Sequence, residues 1–298
     1  DCYFEEGDEV VLVDYKTNRI DPEKDFDTEA MRMKNLYRQQ LSLYKQAVEL
    51  ATSKQVKQSY LYLLSAGREI AHIESKYKEK FGIPRQSGIV KHSTAKIVFE
   101  DLYRRPEALR GLEGFSHIWI LWGFHRNDRK KKEGWTPTVR PPKLGGKLRK
   151  GVFATRSPNR PNPIGLSCVE ILGINLNAQG GPFIYVSGAD MLDGTPIYDI
   201  KPFIPYADNH PDAKDGFSRN FSDMRMNVVV QCRDFYSLEE NDRKAIIELL
   251  EQDPRSAYEK KESFEYGVFY GDYNIKFHVE GDVVYIDEVE KNSFTPSK

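Results

Sequence analysis

Cysteine is scarce in this chain: three in 298 residues, at Cys2, Cys168 and Cys232, odd in number and far apart. That spacing excludes a disulfide framework and fits a reducing compartment. No Cys-x-x-Cys or His-x-x-x-His pair points to zinc. Long apolar runs are lacking as well. The strongest, "FSHIWILWGF" from Phe115 to Phe124, carries a histidine and falls short of the roughly 20 residues a membrane helix needs. No signal-peptide pattern opens the chain, and no methionine either: Asp1 leads directly into a strand-like stretch, as expected of a chain that begins inside a longer reading frame. Excess charge is missing too. A formal net charge of -1 and a pI near 6.7 exclude a uniformly basic nucleic-acid coat while leaving room for a local basic patch. The expectation is a cytoplasmic protein without a membrane role, long enough for two domains, with neither internal repeats nor low-complexity segments apart from one basic stretch.

What is present falls into two parts. Residues 1 to 16, "DCYFEEGDEVVLVDYK", read as a hairpin turning at Glu6-Gly7-Asp8. Apolar residues from Asp27 to Thr52 recur at mixed helical spacing and predict one long helix, followed by a strand at "SYLYLLS". From about Ile70 the pattern changes to short strands separated by Gly, Pro and Asn: "IAHIES", "SGIVKH", "AKIVFE", "HIWILWGF", "GVFATR", "SCVEILGI" and "PFIYVSGADML". Many short strands at such intervals predict a mainly β, barrel-like domain. A helix over Leu238 to Glu251 and three strands after it predict a small C-terminal α+β subdomain. The expected domains are 1–69, 70–232 and 233–298.

In the first part, Asp14 and Lys16 share one strand face because side chains alternate, and Asp1 lies on the neighbouring strand. Two carboxylates can hold a hard cation such as Mg, with a lysine beside them to steady developing charge; the plainer alternative is the wet face of a hairpin. Gln40 and Tyr44 stand one helical turn apart. The pattern "D(x12)DxK…QxxxY", with "VVLVDYKTNRI…YRQQLSLYKQAVE…SYLYLLS", resembles the C-terminal end of the AddA helicase-nuclease subunit, a RecB-type PD-(D/E)XK nuclease. That resemblance implies a partial α/β nuclease fragment with Asp1 and Asp14 as metal ligands, Lys16 as the catalytic lysine, and Gln40 and Tyr44 facing DNA. Asn18 departs from the family's usual Asp. With so little of the enzyme present, little cleavage of DNA is expected.

In the second part, "GVFATRSPNRPNPIGLS" (residues 151–167) packs Pro158, Pro161 and Pro163 into one loop. Prolines fix φ and remove donors, so Ser157 to Ile164 cannot be sheet interior and should hold Arg156, Arg160 and Asn162 rigidly. Further Gly- and Pro-bearing loops occur in "PRQSG" (84–88), "GWTPTVRPPKLGG" (134–146) and "DMLDGTPIYDIKPFIPYAD" (190–208). Loops gathered at a barrel are where function tends to sit. These motifs, with "EKFGIPRQSG", "LRGLEGFSHIWIL" and "QDPRSAY", resemble the TrmO family (also YaeB or TsaA) over residues 70–298.

The TrmO resemblance implies a non-Rossmann β-barrel methyltransferase working as a homodimer. Its donor would be S-adenosylmethionine and its acceptor N6 of N6-threonylcarbamoyladenosine at position 37, beside the anticodon of a threonine tRNA. It further implies a cofactor site formed by Pro84, Arg85, Gln86, His125, Arg126, Arg156, Leu166, Asp190, Asp193, Gly194, Thr195 and Pro196. The acceptor nitrogen is a poor nucleophile, and Asp193, Asp190 and His125 are the candidates for a general base. For the tRNA, the basic tract from Arg126 to Lys150 supplies Lys130, Lys131 and Arg140, with Trp135 for stacking on a base. Arg160, Asn162, Arg255 and Tyr258 are further substrate candidates. Two other readings remain: a barrel that binds tRNA or nucleotide without turnover, and a Mg-dependent DNA nuclease acting through the N-terminal part.

Overall fold

Period-two burial shapes most of the strands in the computed structural model, which describes residues 2–16, 26–63, 69–126, 136–141, 144, 148–221, 225–255 and 264–291. They belong to two units, Asp1–Arg68 and Glu69–Lys298.

The first unit contains β1 (Cys2–Glu6), β2 (Glu9–Lys16), α1 (Phe26–Leu36), α2 (Arg38–Thr52) and β3 (Gln55–Leu63). The expected hairpin forms, turning at a left-handed Gly7, and β3 returns parallel to β2. Val10 and Leu12 alternate inward from β2 and meet Val56, Leu41, Tyr44 and Val48. The expected single helix is instead interrupted at Tyr37, whose φ of -101° and ψ of 6° leave helical geometry. Hydrogen bonds still carry across it, from the Tyr37 amide to the Met33 carbonyl at 3.1 Å and from the Leu41 amide to the Tyr37 carbonyl at 2.9 Å.

The second unit opens with β4 (Ala71–Glu74), β5 (Thr94–Phe99), β6 (His117–Gly123), β7 (Thr138–Val139), β8 (Lys150–Gly151), β9 (Ile164–Asn175), β10 (Phe183–Ser187) and β11 (Thr195–Pro202). Six of these close an antiparallel barrel in the order β10-β5-β4-β11-β6-β9. Ile73, Ile97, Ile118, Ile120, Ile184 and Ile197 fill its core. Each such side chain contributes about 1.5–3 kcal/mol by burial, which is why the alternation fixes the strand register. A short α3 (Pro205–Asp208) follows, then β12 (Asn227–Val230), α4 (Glu240–Glu251), β13 (Tyr266–Tyr270), β14 (Tyr273–Glu280) and β15 (Val283–Lys291). The last four strands form a sheet ordered β12-β15-β14-β13, and Ala245, Ile246, Leu249 and Leu250 of α4 pack in its core. Among the described residues no helix is long and apolar enough to cross a membrane.

Two local expectations are corrected. "SGIVKH" is a run of turns rather than a strand, because its donors go elsewhere: the Gly88 amide to the Gly188 carbonyl at 2.8 Å and the His92 amide to the Glu248 carboxylate at 3.0 Å. "GVFATR" keeps only Gly151 in strand, at the end of β8, and winds into a 3-10 turn over Val152–Ala154, where the Thr155 hydroxyl donates to the Val152 carbonyl at 2.8 Å. The segment 190–208, expected to hold glycine-proline loops beside strand, contains β11 between β4 and β6, with Pro196 and Pro202 near its ends.

One strand pair prepares the site. Trp122 on β6 stands directly opposite Gly165 on β9. A Cβ on Gly165 would lie 2.2 Å from the Trp122 ring, so the indole occupies the space a side chain would need. Gly165→Ala is expected to destabilise the fold by about 1–3 kcal/mol through overpacking, read by urea denaturation.

Candidate active site at the barrel end

Trp122, Gly165 and Ser167 all point inward at one end of the barrel because they occupy the buried parity of β6 and β9. The Trp122 indole N–H donates to Ser167 Oγ at 2.9 Å, and the Ser167 hydroxyl donates to Asp190 Oδ1 at 2.5 Å. Burial pushes the Asp190 carboxyl up to about 6, while the Ser167 hydroxyl, the backbone and the Arg156 charge pull it down. Arg156 donates to Gln86 Oε1 and is itself exposed. The segment carrying Gln86 is stitched to the barrel through Ser87, whose Oγ accepts the Cys168 amide at 3.2 Å. Pro84 is buried behind it, and Leu166 faces outward from β9. A carboxylate, a guanidinium, an amide side chain and an exposed apolar residue are thus gathered around one barrel end.

The turn into β11 follows a different logic. Gly194 adopts a φ of +71°, as a tight turn there requires. Its amide donates to the Ile73 carbonyl at 2.8 Å, the Asp193 amide to the Tyr77 carbonyl at 2.9 Å, and the Thr195 amide to the Leu192 carbonyl at 3.1 Å. The Asp193 carboxylate accepts the Ser75 amide and the Lys78 ammonium, both at 2.8 Å. Asp193 therefore acts as a clamp between this turn and the segment after β4. Asp193→Ala is expected to cost about 1–2 kcal/mol of stability, mostly from the backbone amide it would strand, since the half-exposed Lys78 pair adds little. A melting temperature unchanged from wild type would refute the clamp.

His125 lies just past β6, exposed, with Nδ1 3.4 Å from Thr195 Oγ1. That hydroxyl donates to the Leu192 carbonyl at 2.6 Å, so at the histidine it can act only as an acceptor. Desolvation, with the charges of Arg126 and Lys80, lowers the imidazole below its usual range against the opposing pull of Asp193. Against an acceptor at Thr195, the Nδ1 of His125 would carry the hydrogen. In the proline loop Arg160 folds back, donating to the Thr155 carbonyl at 3.0 Å, while Asn162 stays exposed and its carbonyl accepts the Ile164 amide at 2.8 Å.

The remaining substrate candidates separate. Arg255 is 6% exposed, paired with Asp253 at 2.8 Å and set over the Tyr266 ring. Its expected exposure to tRNA is therefore corrected, since the guanidinium holds the end of α4, where Asp253 takes a left-handed φ of +49°. Arg85 donates to the Arg255 carbonyl at 3.2 Å, so at least one of its donors serves this corner. Arg140 is exposed next to β7. Lys130, Lys131, Trp135 and Tyr258 lie outside the described residues.

The description "tRNA-methyltransferase O N-terminal domain" matches residues 72–209, and "TrmO C-terminal domain" matches residues 220–292. This chain belongs to the TrmO family. The tRNA (adenine(37)-N6)-methyltransferase of Escherichia coli (strain K12) is 41% identical over 219 residues, 71% of this chain and 92% of that protein. A Pyrococcus abyssi protein named for S-adenosyl-L-methionine binding is 35% identical over 158 residues, 53% of this chain and 78% of its own length. The crystal structure of TrmO from Pseudomonas aeruginosa superposes with a TM-score of 0.59 at 32% identity, over 74% of this chain and 97% of that one.

Within the TrmO-family part, Asp190, Arg156, Gln86 and Leu166 share one end of the barrel, whereas Asp193, Gly194 and Thr195 form the clamped turn and Arg85 turns toward Arg255. Sequence reasoning missed Trp122 and Ser167. The available signal was a serine at an inward position of the alternating strand "IGLSCVE". In the first unit, Asp14 is 0% exposed on the inward face of β2, so the alternative of a wet hairpin face does not hold for this carboxyl. Gln40 Nε2 does reach the Tyr44 hydroxyl at 2.8 Å. Asp1 and the Lys16 side chain lie outside the described residues, and among the described residues no cluster of three or more metal-binding side chains occurs.

Proposed function

We propose that this chain is an S-adenosylmethionine-dependent methyltransferase that modifies N6 of threonylcarbamoyladenosine at position 37 of a threonine tRNA and works as a homodimer. The observation that carries the reading is the Asp190 carboxyl, raised to about 6 by burial beside Arg156 at the barrel end. A carboxylate with that acidity is ionised at neutral pH yet a better proton acceptor than an exposed one.

The side chains suit the donor molecule. Arg156, with Gln86 against it, offers charge-assisted donors for an amino-acid carboxylate, and exposed Leu166 and Ile164 offer apolar surface for the rest. When bound, the donor supplies an electrophilic methyl group on a sulfonium. Arg156 and Gln86 would hold the donor, and Asp190 would accept the N6 proton as the nitrogen is methylated. The proline loop holds Arg156 in place, and orientation of this kind accounts for much of the acceleration in a two-substrate transfer. Arg140 and the basic tract around it attract the tRNA backbone.

Isotopically labelled S-adenosylmethionine incubated with the protein and threonine tRNA, with or without the threonylcarbamoyl group, tests this by nucleoside mass spectrometry. Label on N6 only in the threonylcarbamoylated tRNA is the expected result. Label in both tRNAs would overturn the substrate assignment, and label in neither would overturn the activity.

A further inference from the structure

Two side chains behind Asp190 have donors and acceptors arranged in one direction. An indole N–H can only donate, so Trp122 occupies an acceptor site on Ser167 Oγ at 2.9 Å and leaves the serine hydrogen to Asp190 Oδ1 at 2.5 Å. Both are buried, Ser167 at 0% and Trp122 at 6% exposure, so water does not compete for this geometry. The strands build it deliberately: Gly165, opposite Trp122, has no Cβ to displace the ring, and Phe124 packs against the indole with ring centroids 4.3 Å apart. We propose that Trp122 and Ser167 are positioning residues that lock the Asp190 carboxyl in one orientation, with Oδ1 held as the acceptor of the serine hydrogen.

The proposal deepens the methyltransferase reading and rests on it only for what the proton comes from. The electrostatics agree with the geometry. A donor aimed at the carboxylate favours its charged form, so the Ser167 hydroxyl offsets part of the burial that raises Asp190. Arg156, from the proline loop, and Tyr77, from the segment after β4, interact electrostatically with Asp190, and the backbone amides of Ser87 and of Asp190 itself hydrogen-bond its carboxylate. Arg156 and Ser87 favour the carboxylate, but only the Trp122–Ser167 pair fixes which oxygen is occupied by a side-chain donor from the barrel interior. Without the indole, the serine could rotate and accept from a protonated Asp190, which would favour the acid form.

The test is a carbon-13 NMR titration of the aspartate-labelled 298-residue chain, with the Asp190 carboxyl resonance assigned by its loss in Asp190→Asn. Ser167→Ala is expected to raise the Asp190 midpoint by about one pH unit, a tenfold change in acidity. Trp122→Phe, which keeps ring bulk, should move it in the same direction by less, while Ser167→Thr, which keeps the hydroxyl, should restore it. If Ser167→Ala fails to fold, Trp122→Phe decides. A midpoint equal to wild type in the folded variants would overturn the pair. The pH dependence of single-turnover methyl transfer separates this from the activity: a midpoint that shifts while the acidic limb of the rate stays put keeps the pair and removes Asp190 as the base.

Discussion

Replacing Asp190 with asparagine is expected to lower kcat/KM for methyl transfer by about 10²- to 10⁴-fold, the range that loss of a general base produces. Calorimetric affinity for S-adenosylmethionine should stay within a few-fold of wild type, since the assignment to Asp190 is proton acceptance. The same variant should be more stable than wild type above pH 6. Burial holds the folded Asp190 near 6, against an ordinary value of 3.8. As pH rises the unfolded chain loses this proton first, so stability is full below about pH 4, declines as pH rises through 6, and stays lower beyond. A two-unit difference corresponds to about 2–3 kcal/mol, which asparagine restores at pH 7 and not at pH 4. Melting temperatures of the two proteins at pH 4 and pH 7.5 check it. A stability difference independent of pH would show that Asp190 is not buried as a charge, and wild-type turnover in the variant would remove it from the chemistry.

The second large effect concerns Arg156. Its guanidinium stands exposed against Gln86 at the start of the proline loop. Arg156→Ala should weaken S-adenosylmethionine binding about 10- to 150-fold, the worth of one charge-assisted hydrogen-bonding group. Arg156→Lys should recover only part of this, because a lysine cannot present two parallel donors to a carboxylate. Isothermal calorimetry giving wild-type affinity in the alanine variant would take Arg156 out of the cofactor site. The arginine charge also favours ionised Asp190, so the alanine variant should move the lower limb of the pH–rate profile upward as well.

The two effects differ in how they could be foreseen. Arg156 stands in a run of prolines and arginines, where stiff backbone beside a charge is visible residue by residue. Asp190 was a candidate among three. What set it apart from Asp193 and His125 was the surroundings: Asp193 is clamped between the Ser75 amide and Lys78, and His125 is exposed just past β6, whereas Asp190 is held by the buried Ser167. The misread strands have a similar origin. "SGIVKH" has strand composition, yet its Val90 packs into the C-terminal core and its backbone donors reach Gly188 and Glu248, partners far away in the chain. A tertiary hydrogen bond outweighs the modest preference of a β-branched residue for extended backbone.

Local chemistry by itself determined a good deal. Alternating apolar residues place Ile118, Ile120 and Trp122 on one face, glycines mark the turns at Gly7 and Gly194, and the prolines of 158–163 exclude sheet interior, because each depends on φ, ψ and side-chain parity within a few residues. Tertiary structure alone decided that the barrel closes by setting β11 between β4 and β6, that Arg255 is buried while Arg156 is exposed, and that Trp122, Ser167 and Asp190 make one directional line of hydrogen bonds. Burial and hydrogen-bond direction are properties of what surrounds a group, and for Asp190 the Ser167 hydroxyl, the Arg156 charge and the Ser87 amide come from segments more than twenty residues away along the chain.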